Sequence, residues 1–274
     1  MREILGRRRR LRFRRKERTA QLDAALTCAL AWDWPVLPGV GLKATTRTTT
    51  RTTTRTTTRA AKRTATWTTA ADAAASEGSA ASAGDASSDG TAADGSREVT
   101  GCACPDPDCV VPGAHPFDPG LLAATTDERM IRWWWTRRPD APVLLATGGG
   151  APCAVSLPAV AGARALTALD AMGMRLGPVV ATPTRWSLLV APYSLERLGE
   201  LLYAKDSVPS SLRFHSEGGY LLLPPSVAGT GQVRWERAPL AGSARPWLPD
   251  VEAVVDALVE ASTGAPGGGS RLAY

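Results

Sequence analysis

The sequence has no apolar run of the roughly 18 residues that a membrane-spanning helix needs, so we exclude an integral membrane protein. Its five cysteines in 274 residues are too few for a disulfide scaffold in a chain of this length. Charged residues make up only 21% of the chain and hydrophobic residues 44%, which argues against disorder throughout. The composition therefore predicts a packed core.

Several catalytic signatures are also missing. No serine has the flanking glycines of a hydrolase elbow. Gly148-Gly149-Gly150 follows an apolar run, but it lacks the Lys-Ser/Thr of a P-loop and the G-x-G-x-x-G spacing, so we favour a turn over a phosphate-binding loop. His215 and Glu217 offer an acid–base pair, although their place before an apolar run favours the entry to a hairpin.

Charge is distributed unevenly along the chain. Residues 1–63 carry 17 Lys and Arg against 4 Asp and Glu, a net charge of +13, whereas the remainder carries −7. We predict residues 1–18 to be a disordered basic arm, either a solvated tail or an arm that contacts phosphates. The apolar stretch and cleavage site of a signal peptide do not follow it, so we expect a cytoplasmic protein.

A change in composition interrupts the folded part of the sequence. A helix is predicted at residues 19–33, with Leu22, Leu26 and Leu30 on its packed face. Three Thr-Thr-Thr-Arg repeats then begin at residue 48, and Ala, Ser, Gly and Asp dominate as far as residue 96. Such a segment buries too little apolar surface to fold. We therefore predict one domain at 19–261, a disordered insertion at 43–99, and a flexible tail at 262–274.

The rest of the domain mixes helix and strand patterns. Helices are predicted at 126–138, 163–172, 195–204 and 250–261, and strands at 143–146, 153–157, 179–181, 187–190, 220–223 and 232–236. This mixture indicates an α/β or α+β class. Consecutive helical residues point in different directions, so we expect two of Trp133, Trp134 and Trp135 in the core and the third partly exposed. The three rings then do not form one base-stacking platform.

Three cysteines and a histidine lie within 14 residues on a Pro- and Gly-rich loop: Cys102, Cys104, Cys109 and His115. Thiolates and imidazole are the zinc ligand set, and a metal can order a loop that has little core of its own. We predict a structural Zn²⁺, with unliganded structural residues or a redox site as alternatives. Four protein ligands leave no open position for a catalytic zinc.

Several segments resemble, in chain order, the bifunctional DNA primase/polymerase N-terminal domain of the archaeo-eukaryotic primase superfamily. The segments are 32–38, the Cys/His loop with its Pro-Gly-Ala-His-Pro end, 125–127 before 131–134, 146–148, 165–169 and 218–226. The resemblance covers most of residues 19–261 outside the insertion. It implies an α+β domain with a small mixed sheet flanked by helices. It also implies acids that hold divalent metals and a histidine near the nucleotide phosphates.

The chain departs from the family pattern at each of those catalytic positions. Cys153–Pro158 has no carboxylate where an Asp-x-Asp is expected, and Ser187 or Trp186 falls where the histidine belongs. Arg213 stands at or near the last acid. Glu217, the nearest carboxylate, aligns better with the following turn. Phosphoryl transfer by two metal ions depends on such carboxylates.

We therefore predict a catalytically degenerate primase/polymerase-like domain without catalytic residues. Arg185 and Arg213, with the basic arm, are expected to bind DNA or nucleotides in a replication-related role, with a replication protein as a further partner. Three alternatives remain open: a protein–protein interaction module that kept the fold, an active enzyme whose unrecognised acids hold Mg²⁺ or Mn²⁺, and an unrelated binding domain.

Overall fold

The structure, a computed structural model, describes residues 19–47, 97–240, 242 and 244–263. The chain divides into two units, Met1–Thr45 with Thr100–Tyr274, and Thr46–Val99. The predicted basic arm, residues 48–96 of the predicted insertion and residues 264–274 of the predicted tail lie outside the described residues. Residues 43–47 and 97–99, the ends of the predicted insertion, lie in strands.

Short strands alternate with helices along the described chain. The helices are α1 (residues 19–32), α2 (Glu128–Arg137), α3 (Ala159–Ala171), α4 (Leu195–Tyr203) and α5 (Val251–Thr263), with a 3₁₀ turn at Leu121–Ala123. The strands are β1 (Val36–Pro38), β2 (Leu42–Arg47), β3 (Arg97–Cys102), β4 (Val143–Ala146), β5 (Cys153–Pro158), β6 (Val179–Ala181), β7 (Arg185–Val190), β8 (Arg213–His215), β9 (Tyr220–Leu223), β10 (Val227–Ala228), β11 (Gly231–Gln232) and β12 (Arg234–Arg237).

The strands form four sheets. One has five strands in the order β12-β6-β7-β5-β8, one has three in the order β1-β4-β9, and β2–β3 and β10–β11 are pairs. Each pair with a defined register in the described residues is antiparallel. The predicted α+β class is confirmed, with the strands divided among several sheets.

Both faces of the five-stranded sheet are packed, because alternate residues of a strand point to opposite sides. On one face, Val155 and Leu188 pack in a cluster with apolar residues of α3 and α5. On the other face, Ala154 and Leu189 join a second cluster with α1, α2 and the three-stranded sheet. The core therefore lies on both sides of β5 and β7, and polar side chains on these strands are unusual.

α1 packs most of its predicted face against the core. Ala25 and Ala29, which lie on the same helical face as the predicted leucines, are buried, and Leu22 and Leu26 pack against the core cluster. Leu30, expected to be packed, is 55% exposed. It lies in the π-helical segment Thr27–Ala31, whose wider turn breaks the 3.6-residue period on which the prediction rested.

α2 begins where its sequence indicates. The side chain of Asp127 accepts a hydrogen bond from the backbone N–H of Arg129 at 2.8 Å and caps the helix. As predicted, two of the three tryptophans are buried: Trp134 and Trp135 lie in the core, and Trp133 is 49% exposed. Among the described helices, none has the length and apolarity needed to cross a membrane.

Candidate functional site

The segments in which the resemblance places acids and a histidine lie side by side in the five-stranded sheet. β5 lies between β7 and β8, and Ser156 is directly opposite Ser187 on β7 and Arg213 on β8. Opposed residues of antiparallel strands project from the same face. Three positions that are far apart in the sequence therefore meet on one surface.

Arg185, at the start of β7, lies over Ser156. Its Nε donates to Oγ of Ser156 at 3.0 Å, and its Nη2 donates to the carbonyl oxygens of Ser156 and Ser211, both at 2.8 Å. Ser156 is 3% exposed, so its hydroxyl depends on a protein partner rather than on water. The guanidinium is thus fixed across the strand in which the Asp-x-Asp was expected.

Arg213 and His215 lie on that same face of β8, because residues two apart in a strand face one side. Burial, followed by repulsion from Arg213, lowers the pKa of Arg185 to about 10. Burial also lowers the pKa of His215, and the positive charges of Arg185 and Arg213 lower it further. We call Arg185, Arg213 and His215 the arginine cluster.

No acid neutralises the arginine cluster within the described residues. The ion pairs among the described residues involve other arginines and a lysine, on or next to helices, on β12 and between Arg245 and Asp33. Arg213 is exposed and Arg185 is half-buried. Two neighbouring guanidinium groups without a carboxylate between them form a site of positive potential suited to an anion.

The arginine cluster does not fit a pair of divalent metal ions. β5 carries no carboxylate, and the guanidinium over Ser156 repels a cation. Across residues 19–47 and 97–263, apart from 241 and 243, a single group of three or more His, Cys, Asp or Glu side chains is close enough to hold a metal, and it lies in the Cys/His loop. The side chains around Ser156 therefore differ from the carboxylate set that two-metal phosphoryl transfer uses.

The structure does not bring His215 and Glu217 together as an acid–base pair. His215 lies in β8, whereas Glu217 lies in the exposed turn that follows. The charges that shift the pKa of His215 are those of the arginines, and Glu217 is not among them. Glu217 therefore belongs to the turn after β8 and is not part of the arginine cluster.

Gly148-Gly149-Gly150 is a turn that packs against the Glu217 loop. Gly148 and Gly149 have positive φ angles of 89° and 63°, which glycine adopts without strain. A Cβ on Gly148 would lie 2.3 Å from Cα of Glu217. Thr147 holds the same loop by a hydrogen bond from its Oγ1 to the carbonyl of Ser216 at 2.6 Å. This close packing is a sufficient reason for glycine at position 148, and no phosphate ligand is needed to explain it.

The predicted zinc ligands converge. Sγ of Cys102 and Sγ of Cys109 each lie 3.4 Å from Nε2 of His115, and with Sγ of Cys104 the four ligand atoms lie within 4.8 Å of one another. Tetrahedral zinc, with Zn–S of about 2.3 Å and Zn–N of about 2.0 Å, places neighbouring ligand atoms roughly 3.5–3.8 Å apart. The described geometry needs only a small contraction to hold the ion.

The surroundings of these ligands also favour a metal. Nδ1 of His115 donates to the carbonyl of Pro116 at 2.9 Å, which leaves Nε2 to face the thiols. The backbone N–H of Gly113 donates to Sγ of Cys102 at 3.2 Å. Burial raises the pKa of Cys102, but hydrogen bonds, among them those from the backbone of Cys104 and Gly113, outweigh it and lower the pKa to about 6. The donor set fits Zn²⁺, with all four positions supplied by protein.

The Cys/His loop is tied to the chain that follows β1. The N–H of Val40 donates to the carbonyl of His115 at 2.9 Å, and the N–H of Ala103 donates to the carbonyl of Gly41 at 3.0 Å. The charge of Cys109 contributes, after burial, to a raised pKa of Tyr220 on β9. The loop therefore lies against the three-stranded sheet and away from α3 and α5.

Sequence reasoning identified the Cys/His loop and the two arginines, but it did not identify the roles of Ser156 and Ser211. Both contact Arg185 from other parts of the chain. Their contacts depend on the register of β5 and β7, and no local motif signals it. The one available signal was negative, the absence of carboxylates from Cys153–Pro158.

Comparison with known proteins agrees with this arrangement. The family model for the bifunctional DNA primase/polymerase, N-terminal, matches residues 25–250. Separate searches of curated proteins and of solved structures found no match. The matched range contains the arginine cluster, the Cys/His loop and all the strands. Since this range is most of the chain, the protein belongs to the bifunctional DNA primase/polymerase N-terminal domain family.

Proposed function

We propose that this protein is a catalytically degenerate member of its family that binds the phosphates of a nucleotide or of DNA at the arginine cluster. The binding needs no divalent metal, because the positive charge comes from Arg185 and Arg213. The protein acts in a replication-related setting, in the cytoplasm, together with a replication protein. The observation that carries the proposal is the position of the Arg185 guanidinium on Ser156.

The contacts of Arg185 support a binding role. Two of its three guanidinium nitrogens are held by Ser156 and Ser211, so the group is fixed before a ligand arrives. Within the described residues Nη1 has no hydrogen-bond partner. Arg213 is exposed beside it. A fixed cation and an accessible one are the arrangement in which charge-assisted hydrogen bonds to phosphate are strong.

His215 adds a proton-dependent contribution. Its imidazole is held neutral by burial and by the two arginines. An anion bound between the arginines would cancel part of their repulsion and favour the protonated ring. Phosphate binding is therefore coupled to proton uptake, and the affinity rises as the pH falls below the ordinary histidine pKa of 6.5.

The proposal is tested by binding measurements with a labelled nucleoside triphosphate and a labelled oligonucleotide. The buffer is stripped of divalent metals before the protein is added. We expect binding that does not change on adding Mg²⁺ and that weakens about 10-fold or more in Arg213→Ala, the loss typical of one charge-assisted hydrogen bond. Arg234→Ala is the matched control, because Arg234 is an exposed arginine on β12 at the opposite edge of the sheet.

A synthesis assay distinguishes the alternatives. We expect no template-directed incorporation with Mg²⁺ or Mn²⁺. Incorporation that is lost in Glu217→Ala would instead support an active enzyme with unrecognised acids. Tight binding of a replication protein, with no affinity for nucleotide or DNA, would support an interaction module that kept the fold. Either result would overturn phosphate binding as the function.

We also propose a structural role for zinc at Cys102, Cys104, Cys109 and His115. Support comes from the convergence of the four ligand atoms and from the orientation of the imidazole by Pro116. Zinc bound there would fix the loop against the segment after β1. Mg²⁺ or Mn²⁺ would be required only if the domain were active.

A further inference from the structure

A groove runs along the outer side of α2. Its volume is about 1100 Å³, above the roughly 300–1,000 Å³ usual for a small-molecule pocket. The helix lines it from Asp127 to Arg138, which is roughly 16 Å at 1.5 Å per residue. Val40, Ala103 and Phe117 line it from other parts of the chain. A groove of this length matches about three turns of a second helix.

α2 has an apolar face in the groove in addition to the face that it buries in the core. Met130 is 43% exposed and Trp133 49%, and both line the groove. Residues three apart lie on the same side of a helix. Phe117, just after the Cys/His loop, is 55% exposed and lines the same groove. These large apolar side chains are not needed for the core and are available to a partner.

The lining suits the apolar side chains of a polypeptide. The guanidinium carbon of Arg137 lies over a face of the Trp133 ring, 3.9 Å from its centroid. This contact holds the indole in place and covers one of its two faces. Met130 and Val40 are aliphatic neighbours in the groove, and a thioether adapts its shape to the side chains that it meets. We therefore favour a protein segment as the occupant.

The backbone beside the groove is already hydrogen-bonded. The N–H of Val40 donates to the carbonyl of His115, and the N–H of Ala103 donates to the carbonyl of Gly41. These two groove residues offer no N–H to an added strand, so recognition of a partner there depends on side chains. An amphipathic helix in a groove is the recurring mode that uses side chains in this way.

Positive charge predominates in the groove and is concentrated at one end of α2. Three arginines line it, Arg129, Arg137 and Arg138, against Asp118 and Asp127. Within the part of the chain that the structure describes, none of the three arginines is in a recorded ion pair. The Asp127 carboxylate already accepts from the N–H of Arg129. An acidic partner is complementary to this charge, with its acids at the C-terminal end of α2.

We propose that this groove docks an amphipathic helix of a partner protein, antiparallel to α2. Its apolar side chains, at i, i+3, i+4 and i+7, contact Met130, Trp133 and Phe117. Its acidic first turn lies against Arg137 and Arg138, because acids at a helix N-terminus complement the helix dipole. The inference goes beyond the proposed function, since the groove and the arginine cluster share no residue.

The test is fluorescence anisotropy of the full chain with labelled peptides of about 14 residues, roughly four helical turns. The first peptide has leucines at the helical spacing and glutamates in its first turn. The second has the same leucines, with the glutamates in its last turn. The third has the composition of the first with the leucines at alternate positions. We expect saturable binding of the first, binding about 2- to 5-fold weaker for the second, and at least about 5-fold weaker for the third.

Variants of the groove identify the site of binding. Trp133→Ala and Met130→Ala should each weaken the first peptide about 5- to 30-fold, the loss for an anchor at the centre of an interface. Arg137→Glu should weaken it as well and reduce the preference for the first peptide over the second. Circular dichroism checks that each variant is folded. Equal binding of the first and third peptides would overturn the proposal.

Trp247→Ala is the matched control. Trp247 is also exposed, at 40%, and Arg175 lies 4.6 Å from its ring centroid in another cavity. We expect its affinity for the first peptide to stay within about 2-fold of the wild type, the scatter for a residue outside the site. Equal effects of Trp133→Ala and Trp247→Ala, or no effect at Trp133, would contradict docking at this groove.

Three further measurements distinguish other occupants and the arginine cluster. Self-association of the chain that Trp133→Ala abolishes would assign the groove to a second copy and overturn the proposal. Displacement of the first peptide by oligothymidine, with equal weakening of both ligands in Trp133→Ala, would assign it to nucleic acid with the same consequence. Nucleoside triphosphate binding should be unchanged in Trp133→Ala, so that failure of the groove and failure of the proposed function give different results.

Discussion

Arg185 donates from its Nε to Oγ of Ser156 at 3.0 Å, across the strand pair β7–β5. The bond places a permanent positive charge over the strand in which the family pattern expects carboxylates. A guanidinium is attached to the chain and cannot exchange, whereas a metal ion is recruited from solution. The guanidinium provides a positive charge and directed hydrogen bonds, but it has no open coordination position for a reacting oxygen. The proposed phosphate binding rests on this charge, whereas two-metal phosphoryl transfer depends on carboxylates.

Replacement of Arg185 by alanine is expected to destabilise the domain. The change removes three hydrogen bonds and leaves the buried hydroxyl of Ser156 without its donor. The free energy of unfolding should fall by about 1–3 kcal/mol, measured as a shift of the urea midpoint. Arg234→Ala, at an exposed position, should change it by no more than about 0.5 kcal/mol. An unchanged midpoint for Arg185→Ala would show that the contact is not structural.

The stability of the domain should depend on the protonation of His215. Its pKa is held below the ordinary value of 6.5, so the unfolded chain binds more protons between the two values. The free energy of unfolding therefore falls as the pH drops below 6.5 toward the folded pKa. Arg213→Ala removes one repelling charge, raises the pKa of His215 and flattens this dependence.

NMR titration of the histidines measures this shift directly. The chain has two histidines, and the signal of His215 is assigned by its absence from a His215→Asn variant. A pKa that is the same in the wild type and in Arg213→Ala would contradict the electrostatic account of the arginine cluster.

Gly148→Ala should be more harmful than Gly149→Ala. Both glycines have positive φ, so both substitutions strain the backbone by about 1–2 kcal/mol. Only at Gly148 does the new Cβ collide with the backbone of Glu217, at 2.3 Å, whereas the space at Gly149 is open. Thermal melting of the two variants isolates the collision. Equal melting temperatures would mean that the Glu217 loop moves aside without cost.

Cys109→Ala should lose the bound zinc. Elemental analysis of protein purified without chelators should give about one zinc per wild-type chain and less than about 0.2 per variant chain, since a closed site with one ligand removed binds far more weakly. Cys28→Ala is the control, because Cys28 is buried in α1 and is not a ligand. A wild-type chain without zinc would favour unliganded or redox-active cysteines.

Local signals in the sequence predicted many of the elements. The α2 helix followed from the Asp127 cap and the spacing of Ile131 and Trp134, and β9 was predicted at its observed bounds. α3 begins at Ala159, four residues before the predicted start, because Pro158 ends β5 and also precedes the first helical turn. β8 was missed because Arg213–His215 contains one apolar residue between two polar ones, whereas the equally short β6 was predicted from its run of apolar residues.

The candidate sites differ in how much of them the sequence contains. The Cys/His loop was predicted as a unit because its four ligands are close in the chain. The arginine cluster was predicted only as two separate arginines. Its partner Ser156 is 29 residues from Arg185, and the pairing requires the register of β5 with β7.

The partners of α1 have a consequence for synthesis on the ribosome. The ring of Trp32 meets that of Trp235 at 6.3 Å, and Asp33 pairs with Arg245, 212 residues later in the chain. At 5–20 residues per second, roughly 10–40 s separate the emergence of these partners. During this interval the apolar side of α1 has no completed core to join. Of the described helices α1 is made first, yet its last contacts form only after the C-terminal part of the chain has emerged, and a chaperone has time to bind it.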